Sequence, residues 1–423
     1  MTTQGSKYLY VNNNISSYIG NVLYNDSFIA NRFMSSKISS NPEKRIKWIK
    51  SNIDKFLFPV SSLYFLMVTD KRIKSNKEFI NLNMETMKRV IGWRMTKPIV
   101  DFLIGSGILE CDYIWSVGVK SCGYKFAPKW LSLWENGELR FTRRETQLNI
   151  KCTYLDKFTN SEFISKCFQS LSFDHDLAQN IKNEYLATLD KKKAIEKEIY
   201  YDFVIDAWQN KDYFLKMSRK SGRIFTLLSS TPRNLRKCLK LGGQNIFICD
   251  IKSCQPLLLC SFYDEKTEES QKYKEIVESG LFYKTIITGL KEDFNDKVKE
   301  IYKEMIWEWA FGEKTWPKTK DIENYFKSNF PYLEKKIKET KKRISNDEKK
   351  PHAKVAVKLQ SMEASVMVNE LVPFCKENNI LYLTIHDSFL CKKEDINRLI
   401  TFVTGKFKEK FDLTPNFDIK EVA

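Results

Sequence analysis

The sequence predicts an α+β protein of two or three domains. Long stretches carry apolar residues at helical spacing beside charged faces, and residues 182–208 are the clearest example. Short apolar runs, such as residues 246–249 and 383–385, have the length of buried strands. A chain of 423 residues is also long enough to bury a substantial core.

The composition indicates a polyanionic partner. The chain has 70 Lys and Arg against 53 Asp and Glu, which gives a formal net charge of +17 and a pI near 9.2. A surplus of this size is typical of proteins that bind DNA or RNA. A lysine-rich, solubilising surface is the alternative interpretation, because many of the lysines have a glutamate nearby.

The cysteines and the apolar segments exclude several classes of protein. The ten cysteines form no C-x-x-C pair and do not cluster with histidine, so free thiols fit better than a disulfide framework or a zinc site. The amino terminus lacks the pattern of a signal peptide, and the most apolar window, residues 56–68, is too short to span a bilayer. We therefore expect a soluble, cytoplasmic protein with no membrane partner.

The amino-terminal part predicts an arm followed by a winged-helix-like domain. Residues 1–43 are rich in Asn, Ser and Tyr and predict an extended or partly ordered arm. Residues 44–130 predict three helices and a two-stranded ribbon, the order of a winged helix. The helices are expected at about residues 53–68, 84–91 and 96–104, with a break or restart at Pro59, and the strands at 108–111 and 124–126. Such a domain either binds DNA, here with Arg94, Lys97 and Lys120, or serves for packing alone.

The composition changes again near Ser218, where we place the main domain boundary. Residues 131–217 before it predict a mostly helical region, whose Lys/Glu-rich face is best explained as a solvated surface. Residues 218–423 after it form a separate domain in this prediction.

Two aspartates in that domain have unexpectedly apolar surroundings. Asp250 ends the apolar run 246–249, and Asp387 lies in the run LTIHDSFLC. An ionised carboxylate on a buried strand is costly unless a cation occupies the site with it, and two divalent metal ions that clamp a phosphoryl transfer meet this requirement. Asp250 also precedes a predicted helix beginning near Gln255, whose amino terminus favours phosphates. Taken singly, each aspartate could equally stabilise a turn.

A helical run between the two aspartates carries cations and aromatics at regular intervals. Lys299, Lys303, Trp307 and Phe311 are spaced four apart, and Gly312 follows them. Steps of four residues drift by only about 40° around a helix, so these side chains share one broad face. The two lysines would hold a triphosphate and the aromatics would cover a base. An amphipathic helix with lysines that reach water and buried aromatics is the alternative.

These residues resemble, in order and spacing, the motifs of family A DNA polymerases and the phage-type single-subunit RNA polymerases. Asp250 in DIKSCQP is similar to motif A, the four-residue series with Gly312 to motif B, and His386, Asp387 and Ser388 to motif C. Two shorter elements are also in order, namely Gly222-Arg223 with Pro232, Asn234 and Leu235 before motif A, and Gln360 in LQSMEAS before motif C. The resemblance covers residues 218–423, roughly half of the chain.

The resemblance implies a right-hand polymerase fold, with the palm and fingers in residues 218–423 and a reduced, thumb-like region within residues 131–217. It implies that Asp250 and Asp387 hold two Mg²⁺ ions, for which Mn²⁺ could substitute. The implied nucleotide-binding residues are Lys299, Lys303, Trp307, Phe311, Gly312 and Gln255, with Lys303 also catalytic as it assists departure of the pyrophosphate. Arg223, Gln360 and His386 would contact the primer end or its minor groove. Separately, Arg233 and Arg236 belong to a basic cluster that could follow a nucleic-acid backbone.

The residues near the two aspartates give opposite indications of whether the substrate carries deoxyribose or ribose. The family's DNA polymerases carry a glutamate that packs where a ribose 2′-hydroxyl would lie, and this chain has the nearly isosteric Gln255 there. Phe311 lacks the hydroxyl by which the RNA polymerases favour ribose. Ser388, by contrast, resembles the RNA enzymes, because the DNA polymerases usually carry a glutamate after the motif C aspartate. The balance favours deoxynucleotides.

The sequence therefore predicts a metal-dependent, template-directed DNA polymerase of the family A type without a proofreading domain. Its partners would be a DNA template and primer, nucleoside triphosphates, and a processivity factor or another protein partner. The enzyme resembles those of mobile elements, plasmids or phages, and such an element would encode the protein partner. A small single-subunit RNA polymerase or primer-synthesising enzyme is the first alternative. A non-catalytic nucleic-acid-binding protein with a polymerase-like fold is the second.

Overall fold

The chain divides into two compact units. The computed structural model describes residues 8–69, 78–114, 122–148, 160–211, 213, 215–313, 317–342 and 351–422. Unit 1 comprises Met1–Thr153 and Asp176–Asp212, and unit 2 comprises Tyr154–His175 and Tyr213–Ala423. The main stretch of unit 2 thus begins close to the boundary predicted at Ser218, but unit 2 also takes in an earlier segment.

The first part of the chain forms the main body of unit 1. In chain order its elements are β1 (Tyr8–Val11), α1 (Asn13–Asn25), α2 (Ser27–Ala30), α3 (Ser36–Ser39), α4 (Pro42–Thr69), β2 (Ile80–Asn81), α5 (Met84–Ile91), α6 (Trp93–Gly105), β3 (Leu109–Cys111), β4 (Gly123–Phe126), α7 (Pro128–Glu135) and β5 (Thr142–Glu145). Strand β1 pairs antiparallel with β5, and the sheet β2-β4-β3 is also antiparallel.

The prediction of an extended arm over residues 1–43 is wrong for the described residues from 8 onwards. Helix α1 buries Ile15, Ile19 and Leu23, which recur every four residues along one face. The Asn-rich composition suggested irregular structure, but the side chain of Asn12 accepts a hydrogen bond from the Ile15 N–H and caps this helix. Asp26 caps α2 in the same way.

The next segment has the predicted order of three helices followed by a hairpin. Helices α4, α5 and α6 precede strands β3 and β4, and β2 adds a third strand to the hairpin. Pro59 does not break α4, because the residues around it are buried and their packing offsets the lost backbone hydrogen bond. Lys120, assigned to the ribbon loop, lies outside the described residues. The winged-helix assignment itself stays a prediction.

Residues 160–211 are shared between the two units. Their elements are α8 (Ser161–Gln169), β6 (Leu171–Phe173), α9 (His175–Ala187) and α10 (Lys191–Gln209). Helices α9 and α10 belong to unit 1 apart from His175, and an ion pair of 2.8 Å between Lys182 and Asp202 joins them. Helix α8 and strand β6 belong to unit 2. The region predicted as mostly helical therefore does not form one body.

Unit 2 continues from strand β7 to the carboxy-terminal strand. Its further elements are β7 (Leu215–Met217), β8 (Ile224–Thr226), α11 (Leu227–Ser230), β9 (Leu239–Leu241), β10 (Gln244–Asn245), β11 (Phe247–Ile251), α12 (Cys254–Leu258), α13 (Glu268–Glu278), α14 (Phe282–Gly289), α15 (Asp296–Phe311), α16 (Lys320–Asn329), α17 (Pro331–Lys341), α18 (Ala353–Met367), α19 (Leu371–Glu377), β12 (Leu383–Ile385), β13 (Ser388–Cys391), α20 (Ile396–Phe411) and β14 (Phe417–Glu421). Short 3₁₀ helices occur at Asn234–Cys238, Leu259–Phe262, Pro317–Thr319 and Lys393–Asp395.

An antiparallel sheet of strand order β12-β13-β11-β14 lies at the centre of unit 2. The two apolar runs that carry the aspartates form β11 and the hairpin β12–β13, as predicted. Helices α12, α15 and α17 pack against α18, and β6 pairs with β9 in a second, smaller sheet. Among the described helices, none is both long and apolar enough to cross a membrane.

Candidate active site

The central sheet brings the two predicted aspartates together. Asp250 near the end of β11 is paired across the ladder with Ser388, the first residue of β13, so their side chains lie on the same face. The Ser388 hydroxyl donates a hydrogen bond to Oδ1 of Asp250. Asp387 occupies the turn just before Ser388, and its carbonyl accepts a hydrogen bond of 3.3 Å from the N–H of Ile251. The hairpin and β11 thus place the two aspartates on adjacent segments at one end of the sheet.

A third carboxylate, Glu363 on α18, completes this cluster. Its side chain is fully buried. One of its oxygens accepts a hydrogen bond of 2.8 Å from Nε of Arg223, and the other accepts from a terminal nitrogen of the same guanidinium. Nε2 of Gln255, in the first turn of α12, donates to Glu363 Oε2 at 2.9 Å. The predicted residues Arg223 and Gln255 are therefore held at the aspartates by a residue that the sequence analysis did not assign.

The position of Glu363 carries a signal that could have revealed it. Glu363 lies four residues after Leu359 and four before Met367, both of which are fully buried on α18. A glutamate within an apolar helical stripe is costly to bury unless it is paired. The sequence analysis used the same segment, LQSMEAS, only for Gln360.

The electrostatics of the cluster favour a cation. The pKa of Asp387 is raised to about 7, first by burial and then by the negative charges of Glu363 and Asp250, and the charge of Arg223 only partly opposes this. Burial is also the main cause of the raised pKa of Glu363. Three carboxylates with one guanidinium leave an excess of negative charge, which a divalent metal ion would neutralise.

The donor atoms fit a hard metal ion. Carboxylate oxygens are the ligands that Mg²⁺ and Mn²⁺ prefer. Cys254 Sγ and one oxygen each of Glu363 and Asp387 lie within 4.8 Å of one another. Burial and the neighbouring carboxylates hold the pKa of the Cys254 thiol well above its usual value, and a hard ion such as Mg²⁺ prefers the carboxylate oxygens to this sulfur.

Helix α15 presents the predicted cationic and aromatic face. Its buried residues are Ile306, Trp309 and Ala310, whereas Lys299, Lys303, Trp307 and Phe311 are half-buried. The rings of Trp307 and Phe311 stack with centroids 4.9 Å apart and an interplanar angle of 9°. Lys303 is partly exposed and lies 3.9 Å from Glu300, and Gly312 ends the helix.

Tyr283 lies on α14, which packs against α15. Burial is the main cause of the raised pKa of Tyr283, and the negative charges of Asp387 and Glu300 add to it. Tyr283 is itself buried. The sequence analysis missed it, because its segment, LFYKTIITG, matches no expected motif and reads as an ordinary buried helix.

The remaining predicted residues lie in the hairpin turn, on α18 and in the segment that follows α11. The His386 ring packs edge-to-face on Phe225 at 5.3 Å, and its backbone adopts a left-handed φ of 58° in the hairpin turn. Gln360 is half-buried on α18, one turn before Glu363. Arg233 is exposed, and Arg236 donates a hydrogen bond of 3.2 Å to the Thr231 carbonyl.

Comparisons with known proteins do not place this chain in a family. No protein-family model matches the chain, and a comparison with curated proteins finds no match. Among solved structures, the chain is similar to the POL domain of Pol1 from M. smegmatis in complex with DNA primer-template and dNTP, with a TM-score of 0.46 and 10% sequence identity. The alignment covers 62% of this chain and 68% of that one. A similarity this weak does not assign a function, so any assignment depends on the site itself.

Proposed function

We propose that this protein is a metal-dependent nucleotidyltransferase that extends a nucleic-acid strand on a template, and specifically a DNA polymerase of the family A type. The observation that carries the proposal is the cluster of Asp250 and Asp387 beside the cationic and aromatic face of α15. The two aspartates come from separate strands of one sheet, and α15 packs against α18, whose Glu363 lies beside Asp387. A cluster of carboxylates next to a phosphate-binding face is what nucleotidyl transfer requires.

In this proposal Asp250 and Asp387 hold two Mg²⁺ ions, which when bound neutralise charge on the reacting phosphates. The Ser388 hydroxyl orients Asp250 through its hydrogen bond. Lys299 and Lys303 bind the triphosphate, and Lys303 donates a proton to the departing pyrophosphate. The stacked rings of Trp307 and Phe311 support the base, and Gly312 ends the helix beside them.

The strand being copied would lie over the basic surface of unit 2. A groove beside α18 is lined by Lys220, Lys354 and Lys358, and Arg233 is exposed elsewhere in the same unit. Cations spaced along a groove suit a phosphate backbone. We place Arg223, Gln360 and His386 at the primer end, and Arg236 with Arg233 along the nucleic-acid backbone. The segment from α4 to β4 in unit 1 is proposed to be a winged-helix-like DNA-binding module.

Incorporation of nucleotides by the purified protein tests this proposal directly. Primed and unprimed DNA templates would be supplied with Mg²⁺ and either dNTPs or rNTPs. We expect extension of the primer with dNTPs, and a preference for rNTPs would instead indicate the RNA polymerase or primer-synthesising alternative. Asp250→Asn should lower incorporation by at least about 10³-fold while DNA binding persists. A wild-type protein that binds DNA but incorporates neither sugar would support the non-catalytic alternative.

A further inference from the structure

Glu363 is the carboxylate of the cluster whose oxygens are both already hydrogen-bonded within the chain. Arg223 contacts the two oxygens in a bidentate pair, and Gln255 adds a second donor to Oε2. The guanidinium is 14% exposed and the Glu363 side chain is 0% exposed, so both charges are shielded from water. A buried bidentate ion pair of this kind is rigid and positions its neighbours strongly.

The charges of the cluster depend on this pair. When ionised, Asp250, Asp387 and Glu363 contribute three negative charges, and Arg223 contributes one positive charge that acts on them. With Glu363 and Arg223 cancelling each other, the charge that remains for metal ions belongs to Asp250 and Asp387. Removal of Glu363 alone would leave the Arg223 charge uncompensated beside the aspartates, where it would repel a divalent cation.

We propose that Glu363 is a positioning residue and not a metal ligand. It neutralises Arg223 and holds both Arg223 and the Gln255 amide beside the paired aspartates, so that metal affinity is set by the balance of charge between Glu363 and Arg223. The inference rests on the proposed function in that the ions serve nucleotidyl transfer. Metal binding itself, however, can be measured without any nucleotide.

Charge-balanced variants of the full chain test this role. The probe is Mn²⁺ alone, titrated by calorimetry into the wild type, Glu363→Gln, Arg223→Gln and the double variant. We expect Glu363→Gln to bind Mn²⁺ about tenfold more weakly and Arg223→Gln about tenfold more tightly, because each changes the charge of the cluster by one unit in opposite directions. The double variant, which removes both charges, should bind within about threefold of the wild type.

The double variant separates positioning from ligation. If Glu363 were a metal ligand, both Glu363→Gln and the double variant would lose affinity, and that result would overturn the inference. Equal affinity in all four proteins would overturn it too. Glu370→Gln is the matched control, since Glu370 pairs with Lys406 and Lys410 and does not belong to the cluster. It should bind Mn²⁺ like the wild type.

Single variants that leave a buried charge unpaired could unfold, so thermal melts accompany each titration. If both single variants unfold, the double variant alone decides between the two roles, because loss of binding there implicates Glu363 as a ligand. A wild type that binds no Mn²⁺ overturns both this inference and the proposed function. The expected pattern in a protein that incorporates no nucleotide supports the inference and refutes only the proposed function.

Discussion

Asp387 combines a catalytic assignment with a cost in stability. Its folded-state pKa of about 7 lies above the ordinary value of 3.8, because burial and two neighbouring carboxylates disfavour its charge. Between these two pH values the folded protein binds a proton at Asp387 that the unfolded chain does not bind. The free energy of unfolding therefore falls as pH rises, and the full loss is reached above pH 7. If Asp387 holds a metal ion as proposed, its function requires the charged form that lowers the stability of the folded protein.

Substitution of Asp387 by Asn should separate these two demands. In the absence of metal, Asp387→Asn is expected to be more stable than the wild type by about 1 to 3 kcal/mol at pH 8, and the difference should vanish near pH 4. Added Mg²⁺ should stabilise the wild type and narrow the gap, while synthesis by the variant is lost. Denaturant melts at pH 4, 6 and 8 measure this. A variant that is less stable at every pH would show that the charge of Asp387 is not the cause.

In the proposed polymerase, Gln255 is the residue that would act most directly on the choice of sugar. The ionised Glu363 carboxylate accepts hydrogen bonds and cannot donate them. The Gln255 amide is therefore held with its nitrogen towards Glu363. The other end of this amide, Oε1, is a buried acceptor without a partner among the described residues. The side chain is therefore held in one defined orientation against Glu363.

Removal of this side chain should relax sugar discrimination. We expect Gln255→Gly to raise the ratio of kcat/KM for rNTPs over dNTPs by at least about tenfold, since space opens where a 2′-hydroxyl would lie. Single-nucleotide incorporation with each sugar gives the ratio. Gln360→Gly on α18 is the control, because it shows whether any disturbance of the site lowers sugar discrimination. An unchanged ratio in Gln255→Gly would remove this residue from the nucleotide pocket.

At the scale of elements, helix α15 carries the proposed substrate contacts on one face. Lys303→Ala should lower kcat by about 10²-fold or more, because it removes the proton donor to the leaving group. Lys299→Ala should chiefly raise KM, because it removes a phosphate contact made before and during the reaction. Lys297→Ala, at an exposed position in the first turn of the same helix, is the matched control. Steady-state kinetics would reject the assignment if Lys297→Ala were as impaired as Lys303→Ala.

Elements with a strong local pattern could be predicted from the sequence. Strand β11, the hairpin around Asp387 and helix α15 follow from apolar runs and four-residue spacing. The arm prediction is wrong for the described residues of this segment. Its Asn-rich composition is typical of irregular structure, but the four-residue spacing of Ile15, Ile19 and Leu23 indicates a helix. Local patterns predict helices and strands, but they do not predict which other elements these pack against.

The partners in the site depend on contacts across long stretches of chain. Arg223 and Glu363 are far apart in sequence, and only the packing of α12 and α18 brings Gln255 to them. Helix α15 likewise comes next to the helix of Glu363 through its packing against α18. The sequence supplied most of the residues of the site, and the structure supplied the network that connects them.

At the scale of the whole molecule, unit 2 is discontinuous in sequence. Strand β6 lies in the segment Tyr154–His175 and pairs with β9, so a fragment of residues 218–423 would leave β9 without this neighbour. We expect fragment 218–423 to melt without a cooperative transition, and fragment 154–423, which contains all of unit 2, to melt cooperatively. Circular dichroism distinguishes the two. Cooperative melting of the shorter fragment at the same temperature would show that β6 is dispensable.

The charge of the whole chain should make nucleic-acid binding strongly dependent on salt. With a formal net charge of +17, binding to a primer-template should weaken steeply between low and physiological salt as counterions are released from the phosphates. If the groove beside α18 holds the backbone, Lys220→Ala and Lys354→Ala should each reduce the slope of log K against log salt by about one. Lys376→Ala, an exposed lysine on α19, should leave the slope unchanged. Fluorescence anisotropy over a salt series measures these slopes, and equal slopes in all three variants would place the nucleic acid elsewhere on the protein.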